Sequence, residues 1–434
     1  MAPAGDTQRG SGDRPALSRL IPHPFAQFAG QYWGQRPLVT AGSELGEDFC
    51  DLFSLEAVDE LVADRNIRTP FVRMAHDGNV LSPSRYTSGG GYGAEIADQL
   101  DSAKVLTEFA NGSTLVLQGL HRTWPAIATF IRQLDADLGY PCQVNAYVTP
   151  ASSRGFDPHY DVHDVFVIQI HGQKRWTIHE PVHRDPLPSQ PWSDHRDAVA
   201  AQASGPAAIE HTFSPGDVLY LPRGWIHSAT ALGGTSIHLT IGIGARTRYD
   251  IVQQVLARLA DDENLRRSLP LGLANARQGA DGQDADAQGA DGRDADGQDA
   301  VRASVEQTLA ELATALARDD VVETAAAELA GTLGAQSRPV PVRPLATIES
   351  AARLGANTLV AWRPGLTARL NTDDRGVHIV LREKTISLPS EASAAVRALV
   401  AGAPTPAGQL PGLDASSSLV VARRLIREAV LVLP

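Results

Sequence analysis

Cysteine is scarce in this chain of 434 residues: only Cys50 and Cys142 occur, 92 positions apart, and neither belongs to a C-x-x-C pair. Such usage argues against a disulfide framework and against a thiolate metal site, and it fits a reducing, cytoplasmic setting. Long apolar runs are missing as well. Nowhere do about 18 apolar residues follow one another, and the opening MAPAGDTQRGSGDRPALS is polar and rich in Gly and Pro, with no apolar segment behind its charges. Neither a membrane span nor a secretory leader is therefore expected. Basic residues are outnumbered, 38 Lys and Arg against 50 Asp and Glu, for a net charge of -12. That balance argues against a surface built to coat nucleic acid and leaves room for a basic polypeptide partner.

Hydrophobic residues make up 43% of the chain, enough to supply the cores of two or three domains. Residues 1–15 read as a disordered lead. Phe25, Phe28, Tyr32 and Trp33 then recur at helical spacing, and this helix stops before Arg36-Pro37. From about Leu38 to Ile243 short apolar runs alternate with turn residues. The runs are Thr114 to Leu117, Val144 to Val148, Val165 to Ile170, Trp176 to Ile178, Val218 to Leu221 and Ile237 to Ile243, and Thr149-Pro150, His171-Gly172 and Ser214-Pro215-Gly216-Asp217 punctuate them. One helix, Trp124 to Leu138, interrupts the series. The pattern predicts an antiparallel sandwich or barrel, mainly β with some α.

After Arg246 the pattern turns helical, with Ile251, Val252, Val255, Leu256 and Leu259 as an apolar stripe and Asp250 available as N-cap. Residues 280–289 and 290–299 form a tandem decapeptide, matching at seven of ten positions, with almost nothing to bury. A disordered acidic insert over 278–300 is the reading. Helix resumes around Val305, Leu309, Leu312 and Leu316, and Arg338-Pro339-Val340-Pro341 marks a second boundary. Beyond it, helices from Ser390 to Val400 and Ser418 to Glu428 and strands from Val377 to Leu381 and Val430 to Leu433 make an alternation compatible with a winged helix. The expected domains are thus a catalytic one over 16–248, a helical segment over 249–340 and a winged-helix-like unit over 341–434.

Chemistry concentrates in His159-Tyr160-Asp161, at the head of the apolar run Val165-Phe166-Val167-Ile168, and in Pro222-Arg223-Gly224-Trp225-Ile226-His227. On a strand, His159 and Asp161 point to the same face. With His227 at the far end of another strand they make two imidazoles and one carboxylate, the ligand set of a non-haem Fe(II) facial triad. Three protein ligands leave three octahedral positions for a bidentate co-substrate and O2, whereas a closed structural zinc site needs a fourth ligand. H-x-D alone is a weak signal, because His183-Arg184-Asp185 and His195-Arg196-Asp197 also carry it; those two sit in a Pro-, Ser- and Asp-rich stretch without strand alternation. Lys174, at the start of the next strand, offers an ammonium to the distal carboxylate of a 2-keto acid. Asn145, on the preceding strand, is a candidate hydrogen-bond partner of the same ligand.

These residues resemble the cupin-like JmjC-domain oxygenases of the ribosomal oxygenase group, Fe(II)- and 2-oxoglutarate-dependent protein hydroxylases. The resemblance rests on Tyr32 to Leu38, on Asn145 to Pro150, on His159 to Phe166 continuing through Gly172 to Trp176, and on Gly216-Asp217 through His227. It covers about residues 20–245 and is looser over 249–434. It implies a double-stranded β-helix, the cupin/JmjC jelly roll, followed by a helical dimerisation segment and a C-terminal winged helix. Iron ligands then fall on His159, Asp161 and His227, the 2-oxoglutarate base on Lys174, a co-substrate-proximal amide on Asn145 and a substrate-pocket aromatic on Tyr147. The implied reaction hydroxylates a protein side chain, Arg or His of a ribosomal protein, with Fe(II), 2-oxoglutarate and O2, in a cytoplasmic homodimer. The decapeptide repeat departs from the family pattern. Ala231 also stands where the general cupin pattern has an Asn.

Two other readings use the same residues. One is a hydroxylase of a small molecule or peptide natural product; the other is a winged-helix nucleic-acid-binding regulator with the barrel as sensor. From Leu345 to Pro434 ten Arg or Lys stand against seven Asp or Glu, too weak an excess to predict phosphate contacts. Ser88 to Gly93 lacks the strand-to-helix context of a dinucleotide loop and reads as a flexible loop. Arg154 to Asp157 reads as a turn or entrance before the triad, and Ser236 and His238 point inward if the barrel register holds.

Overall fold

A computed structural model of the protein describes residues 14–434 apart from 77, 94, 152, 154, 155, 272–292 and 337. Residues 1–13 of the disordered lead expected over 1–15, the acidic insert up to 292, and Arg154 and Gly155 of the turn before the triad lie outside the described residues. Residues 293–300, expected to belong to the insert, are instead the first turns of the helix Arg293–Leu316.

A nine-stranded antiparallel sheet carries the fold. Its order runs Leu38–Thr40, Val218–Leu221, Asp164–His179, Ile226–Ile243, Cys142–Thr149, Thr114–Leu117, Val72–His76 and Asn79–Val80, with Ile209–Phe213 added on the second half of Asp164–His179. Two long strands make it roll. Asp164–His179 pairs with Val218–Leu221 through its first half and with Ile209–Phe213 through its second. The expected break at His171-Gly172 is thus a bend inside one strand. Gly172 takes φ +64° there, and a Cβ on it would collide with the carbonyl of Thr235. Opposite the bend, the register of Ile226–Ile243 shifts between Leu232 and Ile237, and Gln169 bridges the irregularity by donating from Nε2 to the carbonyls of His171 and Gly172 and to Ser236 Oγ.

Alternation along the strands separates two cores. Val144, Ala146 and Val148 join Phe166, Ile168, Ile237, Leu239 and Ile241 against the helix Pro125–Leu138, which contributes Ile127, Phe130, Ile131 and Leu134. The opposite faces supply Val165, Val167, Trp176, Ile178, Phe213, Leu219, Leu221 and Trp225 as a second cluster inside the roll. Asn145, Tyr147 and Thr149 share that inward side by period-two geometry. The helix Phe25–Gln31 closes one side of the sheet: Phe28 lies 4.9 Å from Tyr220 and 5.9 Å from Phe166. Tyr220 locks this layer by accepting from Gly34 N at 2.8 Å and donating to the buried Asp164 at 2.8 Å, while Asp164 also accepts from Arg223 N at 3.0 Å.

The turn before Val218–Leu221 is tightly built. Gly216 has φ +94° and its Cα packs against Gly42 and the carbonyl of Glu47, while Asp217 accepts from Ser214 N and Gly42 N, both at 2.8 Å. A side chain at Gly216 would meet backbone on two sides in a left-handed conformation. Gly216→Ala is expected to cost roughly 2–4 kcal/mol from strain and overpacking together. Thermal unfolding checks it, and an unchanged Tm contradicts it.

Residues up to Ala245 and from Gln336 onward form one compact unit, and Arg246–Ala335 the other. In the latter, the helix Arg248–Leu259 starts from a capping box in which Thr247 accepts from Asp250 N and Asp250 accepts from Thr247 N. Asp250, expected as the N-cap, is therefore the N3 partner; the hydroxyl one turn earlier takes the cap. Ile251, Val252 and Leu256 on this helix, and Val305, Leu309 and Leu316 on Arg293–Leu316, are exposed. The last hundred residues keep their own core, built from Val360, Val377, Ile379, Ile386, Val396, Leu399, Leu425 and Ile426 among others. Its helices Ser393–Val400 and Ala415–Arg427 and strands Gly376–Val380 and Leu431–Val432 fall where the pattern put them, with Asp414 capping the last helix. The hairpin partners Arg369–Asp373 and Thr385–Leu388 were not legible, since their alternation is short and mostly exposed. No helix among the described residues is long and apolar enough to cross a membrane.

Candidate metal and co-substrate site

Two strand ends bring the distant halves of the motif together. His159 and His227 sit opposite each other as an antiparallel bridge: His159 N donates to the His227 carbonyl at 3.2 Å and His227 N to the His159 carbonyl at 2.8 Å. Their rings, on the same face, have centroids 4.5 Å apart. Gly224 N donates to the Asp161 carbonyl at 3.0 Å, which pins the Pro222-x-Gly224 turn onto the same segment. Glycine is required there, with φ +86° and no space for a Cβ beside the His183 carbonyl. Asp161 Oδ2 comes to 3.8 Å from His227 Nε2.

Each imidazole is oriented by its own chain. His159 Nδ1 lies 2.7 Å from the Asp157 carbonyl and His227 Nδ1 3.1 Å from the Trp225 carbonyl. A carbonyl only accepts, so Nδ1 is protonated in both rings, and the lone pair of a neutral ring is then on Nε2. That is the tautomer and the type of backbone support a metal-binding histidine uses. Burial, followed by the charge of a protonated His159, pushes the His227 pKa down to about 4, so this imidazole is neutral near pH 7. Asp161 is half-buried, and its partial desolvation works to raise its pKa, but the imidazoles of His227, His159 and His163 together hold it below the usual carboxylate range. Two imidazole nitrogens and one carboxylate are the donor set that a divalent transition metal takes.

Among the described residues no three such side chains are drawn into a closed metal cage. Octahedral cis donors at about 2.1 Å from a metal stand about 3 Å apart. The 3.8 Å between Asp161 and His227 is that spacing relaxed by less than an ångström. The residues fit the group.

Beside the three lies a cavity whose walls include Tyr147, Thr149, Phe156, Lys174, Trp176 and His238. Trp176 stacks on His227 at 5.8 Å, and Phe156 meets His159 edge-on at 6.1 Å. Lys174 is 3% exposed, and among the described residues no carboxylate pairs with it. Its Nζ donates to Thr149 Oγ1 at 3.1 Å and approaches His238 Nδ1 at 3.4 Å. Burial brings its pKa down to about 7. A buried cation with only neutral partners, facing a cavity, is a receptor for an anion.

Tyr147 lies on the cavity wall, stacked on His238 with centroids 5.0 Å apart, and its hydroxyl is hydrogen-bonded with Arg73 and Asn145. Asn145 stands outside the cavity lining, and its Oδ1 accepts from Gly119 N at 3.1 Å, so it braces Tyr147 and the turn at Gly119. Ser236 is buried against Gln169, away from the cavity, whereas His238 lines it. His183 and His195 stack on each other at 4.6 Å and take no part in the cavity. Thr149 and Trp176 were missed, although each lies two residues beyond a residue already singled out, Tyr147 and Lys174, and so on the same strand face. Arg73 gave no signal, because its strand was not anticipated.

A rolled antiparallel sheet with two histidines and an aspartate at the mouth of its interior defines a protein of the JmjC/cupin fold. Residues 122–251 match the family described as JmjC domain. Ribosomal oxygenase 1 of Rattus norvegicus is 29% identical over 263 residues, covering 58% of this chain and 41% of that protein. The bifunctional lysine-specific demethylase and histidyl-hydroxylase NO66 of Drosophila melanogaster is 37% identical over 155 residues, covering 33% of this chain and 23% of that one. The X-ray structure of E. coli ycfD shares the fold, with a TM-score of 0.50 at 17% identity over 95% of this chain and 98% of that chain. The chain is thus similar to JmjC-domain proteins over residues 122–251 and to ribosomal oxygenases over a little more than half of its length. It spans less than half the length of the curated relatives it matches.

Proposed function

We propose that this protein is an Fe(II)- and 2-oxoglutarate-dependent dioxygenase that hydroxylates a protein side chain, with an Arg or His of a ribosomal protein as target. The observation that carries this reading is the pair of Nδ1-tethered imidazoles, His159 and His227, beside the Asp161 carboxylate and on the same cavity as the unpaired cation Lys174. His159, Asp161 and His227 would hold the metal. Bound there, Fe(II) supplies O2 activation, coupling oxidative decarboxylation of 2-oxoglutarate to succinate and CO2 with insertion of a hydroxyl group at an unactivated C–H. Lys174 binds the distal carboxylate of 2-oxoglutarate. Trp176 and Phe156 wall the metal ligands off from water. Tyr147, held by Arg73 and Asn145, faces the substrate side chain.

The names of the relatives, a ribosomal oxygenase and a histidyl-hydroxylase, support the target class, and a net charge of -12 favours a basic polypeptide over nucleic acid. The catalytic domain takes 16–248. The exposed apolar faces of the helices in 249–340 suit a homodimer, and 341–434 serves as a winged-helix-like packing unit. A cytoplasmic location follows from the ribosomal target. Intact-mass comparison of ribosomal proteins from cells with and without this gene tests the assignment. One protein should lose the mass of one oxygen in the deletion; no change in any of them overturns the ribosomal target and favours a small-molecule hydroxylase.

A further inference from the structure

Lys174 has three N–H donors and no acceptor when charged, so the groups that fix two of its hydrogens decide where the third one points. Thr149 Oγ1 takes one at 3.1 Å. The second lies toward His238 Nδ1 at 3.4 Å, at the long end of the hydrogen-bond range. An ammonium cannot accept, which makes Nδ1 of His238 the acceptor and leaves the proton of a neutral ring on Nε2. His238 is itself held tightly. It is 4% exposed, stacks on Tyr147 at 5.0 Å with an interplanar angle of 2°, and meets Trp176 edge-on at 5.4 Å. Thr149 is fixed from the other side, where Thr114 Oγ1 donates to it at 3.4 Å. With both lone pairs of Thr149 in use, its own hydrogen is left to donate. All six of these side chains line the cavity.

We infer that His238 is a positioning residue for the co-substrate: as a neutral acceptor behind Lys174, paired with Thr149, it aims the remaining Lys174 N–H and the Thr149 hydroxyl at one carboxylate of 2-oxoglutarate. This rests on the assignment of Lys174 as the co-substrate base. It explains why a histidine, rather than an apolar residue, occupies the strand position opposite Tyr147. It also explains how a buried lysine is kept in one direction with no acid beside it. A side chain that only filled space would need no acceptor atom there.

Calorimetric titration of 2-oxoglutarate into the full-length, Mn(II)-loaded protein, which does not turn over, reads the claim directly. His238→Leu removes the acceptor and should weaken binding at least about tenfold, with Mn(II) affinity unchanged. His238→Asn restores an oxygen near the Nδ1 position and should recover binding to within about threefold of the parent. Equal weakening in both variants reduces His238 to packing and overturns the inference. If Lys174→Met binds 2-oxoglutarate like the parent, the base assignment itself fails. If Lys174→Met is weakened and His238→Leu is not, only the inference about His238 fails. Should His238→Leu not fold, Thr149→Val replaces it, with the same tenfold loss expected and parental affinity as the contradicting result.

Discussion

Alanine in place of His227 is expected to remove essentially all 2-oxoglutarate turnover, a loss of about a thousandfold or more in succinate formed with Fe(II) present. Nothing else in the cavity supplies a second imidazole at that place, since the nearest, His238, has its Nδ1 directed at Lys174. His159→Ala and Asp161→Ala should fall to the same floor. The three act as one unit, so the triple variant should lose no more than any single one. His183→Ala is the matched control. It removes another H-x-D histidine, one stacked on His195 outside the cavity, and should leave turnover as in the parent. Residual activity above a few per cent in His227→Ala would remove that side chain from the metal site.

Removal of the Lys174 ammonium should act on co-substrate affinity. A charge-assisted hydrogen bond is worth roughly 1.5–3 kcal/mol, so Lys174→Ala should raise KM for 2-oxoglutarate by about 10- to 150-fold while changing kcat much less. The position also sets a pH dependence. Burial has lowered the pKa of this lysine to about 7. The ammonium is therefore present in the ligand-free protein below that pH and is lost as pH rises through it. A bound carboxylate restores the charge, so above pH 7 binding takes up a proton and affinity falls by up to about tenfold per pH unit. Below about pH 6 neither effect should remain. Calorimetry at pH 8 in buffers of different ionisation enthalpy measures the uptake. No proton taken up there, or a KM unchanged in Lys174→Ala, contradicts the role given to this lysine.

Much of the site was legible because period-two geometry ties neighbours on a strand to one face. His159 with Asp161 and, two strands away, Tyr147 followed by Thr149 are all instances of that rule. The meeting of His159 with His227 was legible only as motif, since 68 residues separate them and no local signal sets the strand register. The structure shows what sets it: the backbone pairing of the two histidines and the tie from Gly224 N to the Asp161 carbonyl. His238 stayed ambiguous in the sequence because its role depends on a lysine 64 positions earlier, across the irregular pairing at Gly172. Strand ends were the weakest reading. Glycine at 172 ordinarily signals a turn, yet here the hydrogen bonds of Gln169 carry the strand through the bend. Likewise the stripe at Val305, Leu309 and Leu316 predicts a helix but not whether its apolar face is covered within the chain, and it is exposed.

Calorimetric titration of Fe(II), or of Mn(II) as an air-stable stand-in, into metal-free protein at pH 7.5 tests the central claim most directly. One ion should bind per chain, and Asp161→Ala and His227→Ala should each abolish the heat while their thermal unfolding without metal stays near that of the parent. A protein that binds no divalent ion, or one that binds it equally well after both substitutions, contradicts the oxygenase reading at its root.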